Sequence, residues 1–312
     1  TLSLHDALPI SLQVIYTPLH GTGIRILPKA LESWGFSTTL VDLQSTPDGN
    51  FPHVSSPNPE ESEALKLGAE LLIKEKADLL LGTDPDADRV GAAILHEGKP
   101  VFLTGNQIAC LCLDHICEAL SKKKILPQNA ACIKTIVTTE LFQKIAESYG
   151  VKTFNVLTGF KYIAAQIALW EKTEHPYQYL FGGEESYGYL LGTFVRDKDA
   201  ISSSCLIAEM AAVAKKEGMS LLDKLHQIYK RYGIYRQSLS QISLPPGLKG
   251  LNAVSSLMSR LRNDPFKTLN GKAVIKIDDY LSEKSSLPPS DVLIFWLEDQ
   301  SKLAIRPSGT EP

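Results

Sequence analysis

Three aspartates at alternate positions, Asp84, Asp86 and Asp88, are followed at once by Arg89. Side chains at i, i+2 and i+4 of an extended segment project to one side. Carboxylates converging there repel one another unless a cation lies between them. An all-oxygen donor set suits a hard divalent ion, Mg²⁺ above others. A guanidinium beside it suits a planar or tetrahedral anion such as phosphate. Cation and arginine together point to phosphoryl chemistry. An EF-hand loop is excluded, because the positions that would need Gly and Glu are Arg89 and Leu95. A solvated acidic turn that binds nothing is the plain alternative.

Four more loops hold chemically useful groups. In Gly182-Gly183-Glu184-Glu185-Ser186-Tyr187-Gly188 the glycines allow close backbone approach to a ligand. Glu184 can accept two hydroxyl hydrogen bonds and Ser186 can donate or accept one, which fits a polyol; a glycine-rich turn with exposed acids fits equally. Arg196-Asp197-Lys198-Asp199 reads as a solvated face, or as a site where a nearby cation lowers the Lys198 pKa enough to move protons. Arg306-Pro307-Ser308-Gly309-Thr310 reads as a phosphate nest or as an ordinary β-turn. Thr158-Gly159-Phe160-Lys161 opens a helix, where an anion is welcome; a cap supplied by Thr158 explains the same residues.

The elements that must position these loops alternate. Strands are expected at Gln13–Thr17, Ser37–Val41 and Asp78–Gly82, with helices at Ile24–Trp34 and Glu60–Lys76. A hairpin over Val90–Leu95 and Val101–Thr104 turns at Glu97-Gly98. This order implies a mainly parallel, doubly wound sheet, with the triple-Asp loop at the C-terminal end of a strand, where such sheets place ligands. Helix Asn106–Ser121 begins a second layer of strands Ala131–Thr135, Lys152–Val156 and Gln178–Phe181 and helices Glu140–Tyr149 and Lys161–Lys172. Helices Ser203–Lys216 and Leu221–Arg231 follow. From Ile234 the grain changes: a strand-like Ile234–Ser243, helix Leu251–Arg262, and strands Ala273–Ile277, Val292–Leu297 and Leu303–Ile305, broken by Pro245-Pro246-Gly247 and Leu287-Pro288-Pro289. The fold class is α/β: two doubly wound domains of similar topology, then an α+β domain with a small antiparallel sheet.

Bulk properties narrow the function. A chain of 312 residues with net charge −3 gives no electrostatic case for nucleic acid or an anionic membrane. No apolar run reaches membrane-spanning length. The five cysteines form no C-x-x-C pair and read as free buried thiols of a reducing cytoplasm rather than a zinc site.

Taken together, the loops resemble the α-D-phosphohexomutase family of phosphoglucomutases and phosphomannomutases. Asp84-Pro85-Asp86-Ala87-Asp88-Arg89, Gly183-Glu184-Glu185-Ser186-Tyr187-Gly188 and Arg306-Pro307-Ser308-Gly309-Thr310 carry the resemblance, in the family's order. Tyr16–Gly23, Thr104–Gln107 and Phe194–Asp199 resemble the branch with bacterial phosphoglucomutases and phosphopentomutase-like enzymes. The resemblance implies an intramolecular phosphotransferase that interconverts sugar 1-phosphates and 6-phosphates, or pentose 1- and 5-phosphates. A phosphoserine and a sugar bisphosphate, as intermediate or activator, would take part. It implies one Mg²⁺ per chain on Asp84, Asp86 and Asp88, with Arg89 steadying the seryl phosphate. Lys198 is the implied acid or base, ahead of Lys161 and of His20, which otherwise reads as a turn histidine. Glu184 and Ser186 would grip the sugar, with Thr158, Gly159 and Lys161 nearby, while Arg306, Ser308, Gly309 and Thr310 would clamp the idle phosphate.

The family's serine loop has no match here; Ser55-Ser56-Pro57-Asn58-Pro59 lacks its histidine. The expected layout is a non-native leader at 1–10, domain 2 at 11–104, domain 3 at 105–232 and a C-terminally shortened domain 4 at 233–312. A chain without the serine loop is expected to show little mutase turnover alone. Two rivals stand beside this reading. One is a haloacid-dehalogenase-type phosphatase that would use Asp86 and Asp88, and the other a non-catalytic sugar-phosphate-binding or scaffolding module.

Overall fold

The computed structural model describes residues 12–174, 176–240, 242, 244, 247–282 and 287–307. The expected leader lies outside these residues. Two compact units divide the chain, one through Tyr235 and one from Arg236.

In the first unit, β1 (Gln13–Thr17), α1 (Leu27–Ser33), β2 (Ser37–Leu40), α2 (Lys66–Glu75), β3 (Leu79–Thr83), β4 (Val90–His96) and β5 (Lys99–Leu103) form the first layer. Its sheet runs in the order β2-β1-β3-β4-β5. β1 pairs parallel with β2 and β3, whereas β3–β4 and β4–β5 are antiparallel. The sheet is thus mixed, because the hairpin forms its far edge.

Period-2 alternation explains why these strands read as continuous apolar runs. Val14, Tyr16, Leu79, Leu81, Val90 and Ala92 enter one core, while Ile15, Leu80 and Ala93 enter another on the opposite face. A sheet covered on both sides has no face left for polar residues.

The second layer comprises α3 (Gly105–Lys122), β6 (Ala130–Thr135), α4 (Glu140–Ser148), β7 (Lys152–Val156), α5 (Phe160–Trp170), β8 (Gln178–Gly183) and β9 (Tyr189–Leu191), followed by α6 (Ala200–Lys216) and α7 (Leu221–Tyr232). Its sheet order is β7-β6-β8-β9. The short antiparallel β9 was not expected; three residues are too few for a periodic signal. Both layers share one core, and α6 packs on α1 and β3 as well as on α3 and β9. All five cysteines are free and buried, and burial pushes the Cys132 and Cys205 thiols up to about 12.

Caps fix the helix starts. Thr104 and Gln107 form a reciprocal capping box on α3, as Ser220 and Asp223 do on α7. Ser220→Ala should cost about 1 kcal/mol, seen as a lower thermal midpoint; an unchanged midpoint would show α7 held by packing alone.

Three expectations need correction. The helix expected over Glu60–Lys76 starts only at Lys66, because Asn58 Oδ1 captures the Glu60 N–H at 3.1 Å and sets a turn. The helix expected over Ile24–Trp34 is a 3₁₀ turn, Thr22–Arg25, then α1 with Pro28 in its first turn. The strand-like Ile234–Ser243 forms no strand among its described residues. Ile234, Leu239 and Ile242 are 70%, 87% and 77% exposed, so their alternation meets no partner strand.

The second unit holds α8 (Leu248–Asn263), β10 (Thr268–Leu269), β11 (Lys272–Asp279), β12 (Leu293–Leu297) and β13 (Lys302–Ile305). Its sheet, β10-β11-β12-β13, is antiparallel throughout. Met258 and Leu261 pack on Leu293 and Phe295 to make a small core. Among the described residues no helix is long and apolar enough to cross a membrane.

Candidate functional site

β3 is buried along its whole length, so the chain can carry charge only where it ends, at Asp84. There it turns tightly instead of continuing extended. Ala87 takes φ +58°, and Asp84 Oδ1 accepts the N–H groups of Asp88 and Arg89, each at 2.8 Å. The turn still makes the aspartates converge: one oxygen from each of Asp84, Asp86 and Asp88 lies within 4.8 Å of the others. The expected extended geometry is corrected; the convergence comes from the turn.

Crowding shows in the proton affinities. Burial pushes the Asp84 carboxyl up to about 6, and the charges of Asp86 and Asp88 add to this, outweighing the two backbone donors. Burial also raises Asp88, against the pull of Lys198. The Thr17–Gly23 loop clasps the turn from outside: Thr22 N and Oγ1 both donate to Pro85 O, at 2.7 and 3.0 Å. A Cβ on Gly21 would lie 2.3 Å from Pro85 Cα, so this approach needs glycine.

The Gly183–Gly188 loop forms the adjoining wall. Arg89 and Gly188 make an antiparallel bridge, and Val90 N donates to Tyr187 O at 3.1 Å. Glu184 is 5% exposed, and its Oε1 accepts the Gly159 N–H at 2.8 Å. Burial raises its carboxyl despite that bond. Glu185 is drawn the other way, where its Oε2 accepts from Thr135 Oγ1 at 3.1 Å and Thr138 Oγ1 at 3.3 Å. Ser186 is half-buried.

Lys198 crosses Gly188 and reaches Asp88 Oδ2 at 2.7 Å and Asp197 Oδ1 at 2.9 Å, with the Phe160 ring 5.3 Å away. Burial acts to lower its pKa, but the two carboxylates outweigh burial and the net shift is upward. An open cavity of about 670 Å³ flanks the same turn, lined by Thr22, Arg25, Asp86, Arg196 and Lys198 among others.

The remaining expected residues divide. Gly159, not Thr158, occupies the cap position of α5, with φ +118°. The Gly159 N–H is committed to Glu184, and the Thr158 hydroxyl is buried without a partner. Lys161 is exposed, with its Nζ 5.0 Å from the Tyr162 ring centroid. His20 is 4% exposed, bonds Thr46 O through Nδ1 at 2.9 Å and stacks on His53. Arg306 is exposed at the end of β13, in the second unit. Ser308, Gly309 and Thr310 lie outside the described residues.

Sequence reasoning missed Glu60, whose Oε1 meets Arg89 Nη1 at 2.8 Å, and the Thr135–Thr138 hydroxyl pair. Glu60 meets Arg89, and the threonine hydroxyls meet Glu185, across long sequence separations, which periodicity does not report.

Comparison with known proteins gives a consistent result. The family described as phosphoglucomutase/phosphomannomutase, alpha/beta/alpha domain II, matches residues 5–97, a span that begins within the expected leader. Domain III of the same family matches residues 104–232. A phosphoglucomutase of Staphylococcus aureus strain N315 is 39% identical over 313 residues, covering 96% of this chain and 55% of the relative. The chain therefore spans about half the length of this curated relative. Among solved structures, the Paramecium phosphoprotein pp63/parafusin aligns at TM-score 0.65 and 20% identity, over 99% of this chain and 52% of that one. Aspergillus fumigatus N-acetylphosphoglucosamine mutase, solved with GlcNAc-6P and magnesium, aligns at TM-score 0.52 and 16% identity, over 90% of this chain and 62% of that one. At these identities the two structures show a shared fold.

Proposed function

Because this chain belongs to the phosphoglucomutase/phosphomannomutase family, we propose that it carries the cation-binding and sugar-binding loops of a sugar phosphate mutase. The reaction moves a phosphoryl group between two hydroxyls of one hexose or pentose, through a bisphosphorylated sugar and a seryl phosphate. The observation that carries this reading is the Arg89–Gly188 bridge, which makes the aspartate turn and the Glu184 loop one continuous wall. A phosphate at the aspartates and a sugar at Glu184 would then be neighbours.

Asp84, Asp86 and Asp88 would hold Mg²⁺. The fit is chemical: three clustered carboxylate oxygens, with Asp84 crowded enough to hold a proton near pH 6 when no cation shares the site. Bound there, the ion would polarise the transferring phosphoryl group. The magnesium and sugar phosphate in the Aspergillus relative support the same assignment.

The chain's own groups supply the rest. Glu184 accepts from sugar hydroxyls, oriented by the Gly159 N–H, and Ser186 adds a second polar contact. Arg89 offers a guanidinium to the phosphate. Lys198, held by Asp88 and Asp197, would be the acid or base of the transfer. Arg306, in the second unit, offers a further guanidinium suited to a phosphate.

Calorimetric titration of the chain with glucose 1-phosphate, with and without Mg²⁺, tests the reading. Binding should depend on Mg²⁺ and weaken at least about tenfold in Glu184→Ala, which removes a charged hydrogen-bond acceptor. Equal binding by wild type, Glu184→Ala and Asp86→Asn would sink it.

A further inference from the structure

Pro57-Asn58-Pro59-Glu60 has no task in the reading above, yet it is built with care. Asn58 Oδ1 accepts the Glu60 N–H at 3.1 Å, and Asn58 O accepts the Glu61 N–H at 3.0 Å. Pro59 is buried against β4, where a Cβ on Gly91 would lie 2.5 Å from Pro59 O. The turn is fixed on both sides. It delivers Glu60 Oε1 to Arg89 Nη1 at 2.8 Å, and no other side-chain bond of Arg89 occurs among the described residues.

Arg89 stands in a crowd of carboxylates. Asp88 precedes it, Asp84 accepts its backbone N–H, and its charge is felt at buried Glu184. A flexible guanidinium in such company pairs with whichever carboxylate is best placed. We propose that Glu60 is a positioning residue of the cation centre: by holding Arg89 to its own side, it keeps the guanidinium off Asp84, Asp86 and Asp88 and leaves their oxygens to a divalent ion. This rests on the metal reading above. The proline-bound turn makes the hold durable, since Pro57 and Pro59 restrict the backbone that presents Glu60.

Removing Glu60 has one sign for cation affinity. The site loses a negative charge, and the released guanidinium competes for the aspartates. A neutral Gln side chain cannot hold Arg89 against three carboxylates. In a chain lacking Arg89, nothing is released and only the weaker through-space charge effect remains.

Mn²⁺ titration of the 312-residue chain, followed by electron paramagnetic resonance, tests this on wild type, Glu60→Gln, Arg89→Ala and the double variant. Glu60→Gln should weaken Mn²⁺ binding about tenfold, the lower end of what outer partners of metal ligands cost. Arg89→Ala should bind at least as tightly as wild type, and the double variant should match Arg89→Ala to within about twofold. Asn58→Ala, which loosens the turn but keeps the Glu60 charge, should show a smaller loss in the same direction. It also serves if Glu60→Gln fails to fold. A double variant as weak as Glu60→Gln would mean a merely structural turn and overturn the proposal. Equal Mn²⁺ affinity in wild type and Glu60→Gln overturns it too, with the metal reading intact. No saturable binding by wild type overturns both.

Discussion

Asparagine at position 84 should abolish saturable divalent-cation binding and, at pH 7, raise the melting temperature of the cation-free chain. The two effects share a cause. Burial, helped by the charges of Asp86 and Asp88, pushes the Asp84 carboxyl up to about 6. A folded-state pKa above the ordinary carboxylate value means that the folded chain binds the proton more tightly than the unfolded one. Stability from this group is therefore fully present below about pH 4 and lost as pH rises through about 6. Asn keeps the oxygen that accepts the Asp88 and Arg89 N–H groups, so the turn survives without the charge. Loss of a ligand should exceed the roughly 10- to 100-fold loss seen for outer partners. In the wild type, Mn²⁺ affinity should drop about tenfold per pH unit below pH 6, as one proton competes with the ion. Cation-dependent melting shifts at pH 5 and pH 7 read both effects. A destabilised D84N that still binds Mn²⁺ would contradict the site.

A methyl group at Gly105 should be nearly as damaging to the neighbouring wall. Its Cβ would lie 2.0 Å from Glu185 O and 2.9 Å from Tyr187 N, both backbone atoms that cannot swing aside. Gly105 opens α3 behind the Thr104–Gln107 cap, and its carbonyl accepts from Tyr189 Oη at 2.8 Å. The helix start is thus fixed, and the Glu184–Gly188 loop must yield. Overpacking of this kind costs roughly 3 kcal/mol, which in a unit of this size lowers Tm by about 6–12 °C. Sugar-phosphate binding should fall with it, because Glu184 and Glu185 share the displaced backbone. Gly98→Ala is the control: open space surrounds that glycine, so only its φ of +75° opposes a methyl. A Gly105→Ala protein with wild-type melting and ligand affinity would refute the close approach.

Much of the fold was legible because the signal is local. Val14-Ile15-Tyr16 and Leu79-Leu80-Leu81 announce strands buried on both faces, and the helix expected over Asn106–Ser121 is α3 to within one residue at each end. The convergence of Asp84, Asp86 and Asp88 was legible too, although from an extended geometry that the turn at Ala87 replaces. What eluded the sequence depends on distant partners. Lys198 reads alone as a lysine lowered by a cation; beside Asp88 and Asp197 its proton is held more firmly. Glu60 reads as the start of a helix, until Asn58 takes its N–H and Arg89 takes its carboxylate. Ile234–Ser243 alternates like a strand, but alternation without a neighbouring edge yields no ladder among the described residues.

The Arg89–Gly188 bridge is reinforced by Ala200 N, which donates to Ala87 O at 3.0 Å, and by a core common to both layers. Prising Asp86 away from Glu184 would sever main-chain bonds and admit water to buried Leu, Val and Ala side chains. Hinge motion between these two layers is therefore not expected. A ligand that spanned the aspartate turn and the Glu184 loop would meet one unyielding floor at a fixed spacing.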